Sequence, residues 1–243
     1  MCSSTSPILF WGYWANIVYI IGMIGYLTID IISYTSTKFD NALSFLIYLL
    51  LAILFVLDAS LYTVDWYVYA MKFPASEGQK SIQYPSEFFA CIFQNLGSYF
   101  YLFGAVLSCD KTRWINHIFL LNFLGILCFL IESILVLLGW FIIFGKKLSH
   151  YSKDRCTFRN LYVWAHAFNI LGNLVYLCAI LFAYNCYRNY KILNSDTALL
   201  IQILGDLVYL FDAYLYHECW KRDAEIFDIH TEQCAEKKFE GKV

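Results

Sequence analysis

Three carboxyl side chains, Asp58, Glu132 and Asp212, stand deep inside long apolar stretches of the sequence. An ionised carboxylate at bilayer depth costs ~2.5–3.5 kcal/mol on insertion scales. No Lys or Arg lies inside those stretches to neutralise it. Each acid must then be protonated, hydrated or close to a bound cation, which is the chemistry of a cation or proton pathway. The other reading is that each stays neutral and hydrogen-bonds to Asn, Gln or Tyr on a neighbouring helix, holding the helices in register. Asp30 and Asp206 are further candidates of the same kind, Asp206 directly after Gly205 and near Tyr209 on one helix.

The elements that carry these acids follow from composition. The chain is 60% hydrophobic, 20% aromatic and 15% charged, where soluble domains carry roughly 25% charged residues. The apolar residues fall in blocks near the ~20 needed to cross a ~30 Å hydrocarbon core. Six transmembrane helices are expected, near residues 8–32, 42–64, 88–107, 115–144, 161–183 and 198–216. The first block lacks a basic leader and is too long for a cleaved signal segment, so it is read as an uncleaved first helix. The fold class is an all-α polytopic membrane bundle, and the lipid bilayer is its surroundings. Contacts with other membrane subunits, or with further copies of the chain, are compatible with its apolar surface.

Orientation follows from the basic residues. Six spans leave twelve of the seventeen Lys and Arg residues on the side of both termini, and Lys38, Lys111, Arg113, Arg188 and Lys191 on the other. Cytoplasmic connections are enriched in Lys and Arg, so both termini are assigned to the cytoplasm. A net charge of −2 offers no basic footprint for nucleic acid.

Four spans share one pattern: an amide, any residue, Leu, Gly, then an aromatic and Leu at +4 and +5 from the glycine. The amide, glycine and aromatic are Gln94, Gly97 and Tyr101 in span three, and Asn122, Gly125 and Phe129 in span four. They are Asn169, Gly172 and Tyr176 in span five, and Gln202, Gly205 and Tyr209 in span six. Span one keeps Gly22 and Tyr26, and span two keeps Phe55. Gly22, Gly97 and Gly172 are spaced 75 residues apart, so the unit is a two-helix hairpin used three times: 1–72, 73–145 and 146–220, followed by a cytoplasmic tail, 221–243. At ~100° per residue, positions −3, 0, +4 and +7 fall on one face. That stripe is read as the packing seam of a bundle, because small residues let helices approach and polar ones bond across.

At +7 the even spans place Asp58, Glu132 and Asp212, where the odd spans place Ile29, Gly104 and Ala179. In a pseudo-threefold arrangement the three acids would face one another at one depth, in the inner leaflet. Asp65, with Trp66, Tyr67 and Tyr69, reads as an interfacial helix end.

Other chemistry is thinly represented. His117 and His166 fall near opposite membrane faces, too far apart to ligate one group together. The nine cysteines contain no Cys-x-x-Cys pair. Cys109 and Cys186, both just past odd spans on the outer side, are a candidate disulfide. Neither a metal site nor a cofactor is expected, and no nucleophile–base arrangement points to an enzyme. Three two-helix units resemble the layout of the mitochondrial carriers, but Pro7, Pro74 and Pro85 are the only prolines and none sits in that family's Pro-x-Asp/Glu-x-x-Lys/Arg motif. The run Leu96-Gly97-Ser98-Tyr99-Phe100-Tyr101-Leu102-Phe103-Gly104-Ala105 resembles the YrhK-like integral membrane domains. That resemblance implies a membrane hairpin and no particular activity. Two functions therefore stand open: a cation or proton channel or transporter, and a non-catalytic accessory or scaffold subunit.

Overall fold

The computed structural model describes residues 10–36, 41–72, 85–147, 161–189 and 195–240. The described residues form six α-helices: α1 (Phe10–Thr35), α2 (Asn41–Lys72), α3 (Pro85–Leu107), α4 (Lys111–Lys147), α5 (Leu161–Arg188) and α6 (Ser195–Glu240). A short 3-10 turn, Ser108–Asp110, joins α3 to α4. No strand occurs among the described residues. The basic connections that carry the orientation argument lie mostly outside the described residues.

Among the described residues, five stretches are long and apolar enough to cross a membrane: Phe10–Thr35, Ala42–Val68, Ser86–Gly139, Leu161–Arg188 and Asp196–Arg222. The count is five and not the expected six because α3, the 3-10 turn and α4 form one apolar stretch of 54 residues. As a straight helix that stretch would be ~80 Å long, far beyond a ~30 Å core. Instead it folds back at Ser108–Asp110, and α3 packs along α4. Helix α6 runs on past its apolar stretch to Glu240.

Each helix packs along its neighbours in sequence, and α1 closes against α6. The result is a closed ring of six helices. What allows the close packing is visible in the burial pattern, which repeats every seven residues. Buried positions run Ala15, Gly22 and Ile29 in α1, Leu51 and Asp58 in α2, and Ala90, Gly97 and Gly104 in α3. They continue as Ile118, Gly125, Glu132 and Gly139 in α4, Ala165, Gly172 and Ala179 in α5, and Ala198, Gly205 and Asp212 in α6. Most of these side chains are small. A strict seven-residue period is the mark of left-handed helix packing, and small residues are what bring helices together in lipid, where apolar burial supplies little drive.

Within each hairpin, the glycine of one helix receives an aromatic ring of the other. A Cβ on Gly97 would stand 2.9 Å from the Phe129 ring, and one on Gly125 would stand 2.6 Å from Tyr101. Gly172 faces Tyr209 and Gly205 faces Tyr176 in the same reciprocal manner. In the first hairpin Gly22 faces Phe55, while Leu51 occupies the second glycine's place and packs on Gly25 instead. The leucines just before the glycines point outward: Leu96, Leu171 and Leu204 are exposed, as are Leu50, Leu57 and Leu207. An apolar outer face around buried acids is the arrangement expected of a chain dissolved in lipid.

The glycine contacts differ in tightness, which makes them separable by experiment. Gly97→Val should lower stability by about 1–3 kcal/mol through overpacking, because both the Phe129 ring and the Gly125 carbonyl oxygen, 3.1 Å away, stand in its path. Gly22→Ala, whose added carbon would meet Phe55 only at 3.7 Å, should be neutral or stabilising by up to ~1 kcal/mol. Reversible unfolding in mixed micelles measures both; equal effects would contradict the packing described.

Candidate functional site

The ring encloses an axial cavity of about 310 Å³ to which all six helices contribute. It reaches the end of the bundle where α1 begins, beside Gly12, Asp65 and Trp220, and runs inward to Tyr26, Tyr101 and Tyr176. Along α1 the distance from Gly12 to Tyr26 is ~21 Å. Asp65, expected at an interfacial helix end, lines this cavity and lies against Gly12 of α1.

The inward end of the cavity is built from the aromatic residues of the repeated pattern. Tyr26, Phe55, Tyr101, Phe129, Tyr176 and Tyr209, one from each helix, all line it. Tyr26 and Phe55 meet edge to face at 5.4 Å, Phe55 and Phe129 lie 6.4 Å apart, and Tyr101 and Phe129 lie 5.7 Å apart. Tyr176 and Tyr209 are 5.4 Å apart. Five of these rings reach the axis by leaning over a glycine of the hairpin partner, and only Tyr26, whose partner position is Leu51, does not.

The amide–glycine–aromatic stripe is thus not one seam but two adjacent lines. The glycines lie between helices, whereas Gln94, Asn169 and the aromatics face the cavity. At 3.5 residues per turn, positions 0 and +7 stack directly, and −3 and +4 coincide about 50° to one side. Asn122 points its side-chain oxygen at Gly104 of α3, and Gln202 is used by an acid, as follows.

Of the three acids expected to converge, two line the cavity. Asp58 and Glu132 are each 8% exposed. Asp58 makes no hydrogen bond among the described residues, and Glu132 accepts one from Ser133 Oγ at 3.2 Å. Asp212 is fully buried behind the wall, where its Oδ2 accepts bonds from Tyr19 Oη and Asn169 Nδ2, both at 3.1 Å. Its Oδ1 is buried without a donor. The three share one level, but only two face one another across open space.

A polar network across four helices connects Glu132 and Asp212 but leaves out Asp58. Ser133 donates to Asn169 Oδ1. Asn173 Nδ2 donates to Ser133 Oγ at 2.8 Å, and Tyr209 Oη donates to Asn173 Oδ1 at 2.6 Å. Asn169 then passes to Asp212, and Asp212 to Tyr19 of α1. Ser133, Asn173 and Tyr19 were not singled out from the sequence. The first two lie one residue after a buried heptad position, and Tyr19 occupies the −3 place that holds an amide in four other helices.

Asp30 and Asp206 form a second, separate cluster. Both are fully buried. Asp30 Oδ1 accepts a bond from Tyr48, and its Oδ2 accepts one from Gln202 Nε2 at 2.7 Å. Asp206 Oδ1 accepts from Tyr176, not from Tyr209, because Tyr209 is engaged by Asn173. Gln202 of α6 bonds Asp30 of α1 across the contact of those helices, and Asp206 Oδ2 is buried without a donor among the described residues. Along α6, Asp206 lies ~9 Å from Asp212, and the aromatic tier stands between the two levels. The five acids are therefore two groups.

The remaining candidates are structural. Cys109 and Cys186 are thiols and form no disulfide. Cys109 lies in the turn after α3 and Cys186 near the end of α5, and α4 stands between those helices in the ring. His166 is buried with its Nδ1 2.9 Å from Tyr216 Oη, and His117 packs on Trp114. No group of three or more His, Cys, Asp or Glu side chains suited to a metal ion occurs among the described residues. Comparison with known protein-family models, characterised proteins and solved structures finds no match in any of the three.

Asn169 is the joint of the inner network, and its loss should be measurable. Asn169→Leu leaves Asp212 Oδ2 with Tyr19 alone and removes one of the partners of Ser133. The expected loss is about 1–2 kcal/mol, above the ~0.6 kcal/mol average of single interhelical bonds in membranes. Asn185→Leu, at an exposed helix end, should be nearly silent in the same unfolding assay.

Proposed function

We propose that the chain is an integral membrane protein of six crossings, three two-helix repeats about a pseudo-threefold axis, whose axial cavity accepts protons or cations. The observation that carries this reading is the cavity wall. It bears the carboxyls of Asp58 and Glu132 and, at the mouth, Asp65, with no Lys or Arg among its lining residues. A carboxylate held in a low-dielectric surrounding is stabilised most by a positive charge beside it. Behind that wall Asn169 and Tyr19 donate to Asp212, so a positive charge in the cavity meets a polar surround and not lipid. With both termini in the cytoplasm, as the distribution of Lys and Arg supports, the mouth at Gly12 and Trp220 opens to the cytoplasm. The aromatic tier then separates the inner acids from Asp30 and Asp206.

A second reading, that of an accessory or scaffold subunit whose polar side chains only pack helices, draws support from Asp212. That acid is enclosed by Tyr19 and Asn169, the partners a purely structural acid would have.

Two measurements test the proposal. Tags at the two termini should be accessible from the same membrane face, and Cys109, exposed in the turn between α3 and α4, from the opposite one. Tags on opposite faces would rule out six crossings. In proteoliposomes, the wild-type chain should dissipate a proton or potassium gradient, and Glu132→Gln should slow that flux by about tenfold or more, a barrier change of ~1.4 kcal/mol or more. A wild-type flux equal to that of empty vesicles, or an unaltered flux in the variant, would favour the scaffold reading.

A further inference from the structure

The composition of the cavity wall narrows the kind of cation it suits. Of its 23 lining residues, 11 are aromatic, and none is basic. A hard inorganic cation is held by several oxygen ligands converging within ~2.0–2.6 Å, and no group of three or more acidic, His or Cys side chains converges in that way among the described residues. Ring faces attract organic cations instead, more strongly where water is excluded.

The placement of acids and rings is regular. Phe55 and Asp58 are three residues apart on α2, and Phe129 and Glu132 are three apart on α4, so on each helix a ring stands one turn above a carboxyl. All four side chains line the cavity. Helix α3, which packs between α2 and α4, adds Gln94 to the wall, one turn from the Gly97 contact with Phe129. The Gln94 Oε1 atom is buried with no donor, and Asp58, more than nine-tenths buried, makes no hydrogen bond among the described residues. Three neighbouring helices thus present three acceptors at one level, two of them without a protein donor, beneath a tier of rings. Protein packing alone does not use them.

We infer that this cavity binds a small organic ammonium ion, its N–H groups directed at Asp58, Gln94 and Glu132 and its apolar body against Phe55, Phe129 and the tyrosines of the tier. A volume of about 310 Å³ is at the lower end of ligand pockets, which run ~300–1,000 Å³, so the ligand is small. A metabolite anion is disfavoured by the carboxyls, and a neutral molecule would leave them uncompensated. The inference rests on the cation-accepting reading of the same cavity and specifies its ligand class.

The test is equilibrium binding to the full-length protein in lipid nanodiscs, with empty nanodiscs subtracted. The probes are 2-phenylethylamine, cationic at neutral pH, and 2-phenylethanol, its neutral counterpart of similar shape. The amine should bind saturably to wild type and at least ~tenfold more tightly than the alcohol. Because that comparison uses the wild-type chain, it does not depend on any variant folding. Asp58→Asn and Glu132→Gln should each weaken amine binding by about tenfold and leave the alcohol unchanged, while Glu132→Asp keeps the preference for the amine. Equal affinity for the two probes, or no saturable amine binding, overturns the inference. If amine binding is absent while Glu132→Gln still abolishes ion flux, the ligand class is wrong and the ion pathway stands. If the amine binds through the acids and no flux is seen, the ligand class stands and the conduction reading falls.

Discussion

The contact between a glycine on one helix and an aromatic ring on its partner underlies the rest of this molecule. In lipid, helices gain little from burying leucine against leucine, since the solvent is as apolar as the side chain; close approach and polar bonds must hold them together. Gly97 against Phe129 and Gly125 against Tyr101 give one hairpin that approach, and Gly172 against Tyr209 with Gly205 against Tyr176 give another. The heptad of small residues extends the approach along each helix, and six such helices close into a ring. Because the rings cross over glycines to reach the axis, the same contact that joins the helices also builds the aromatic tier that ends the cavity.

The acids are distributed to suit that framework. A buried carboxylate in lipid is expensive, and each of these is accommodated differently. Asp30 and Asp206 sit in the contact between α1 and α6 with Tyr48, Gln202 and Tyr176 as donors. Asp212 is held by Tyr19 and Asn169. Asp58 and Glu132 face open space within the ring. Asp206 and Asp212 each keep one buried oxygen without a donor among the described residues, and what sets Asp58 and Glu132 apart is that they face the cavity.

Much of the framework was legible in the residue pattern. The shared glycines and aromatics marked the contacts that matter, and the outward leucines followed from their place before the glycines. A period of 3.6 residues places −3, 0, +4 and +7 on one face. The helices pack at 3.5, so the glycines turn to their neighbours while Gln94, Asn169 and the aromatics turn to the axis. Tyr19, Ser133 and Asn173 escaped notice because a polar residue in a single helix does not reveal which helix will meet it. The expected pairing of Cys109 with Cys186 assumed that similar positions in successive units are close together, and the intervening α4 keeps them apart.

The sequence by itself determined that this chain is helical and apolar enough for a bilayer, that its acids have no basic partners within the spans, and that glycine and aromatic recur at a fixed spacing. Those properties follow from composition and periodicity, which are local. Only the tertiary structure decided that the helices close into a ring, that the acids divide into two levels, and that Asp58 and Glu132 share a cavity while Asp212 stands behind its wall. Each of these depends on the rotation of one helix against another by a few tens of degrees. That rotation is set by how small residues interlock between neighbours, not by the pattern along a single helix.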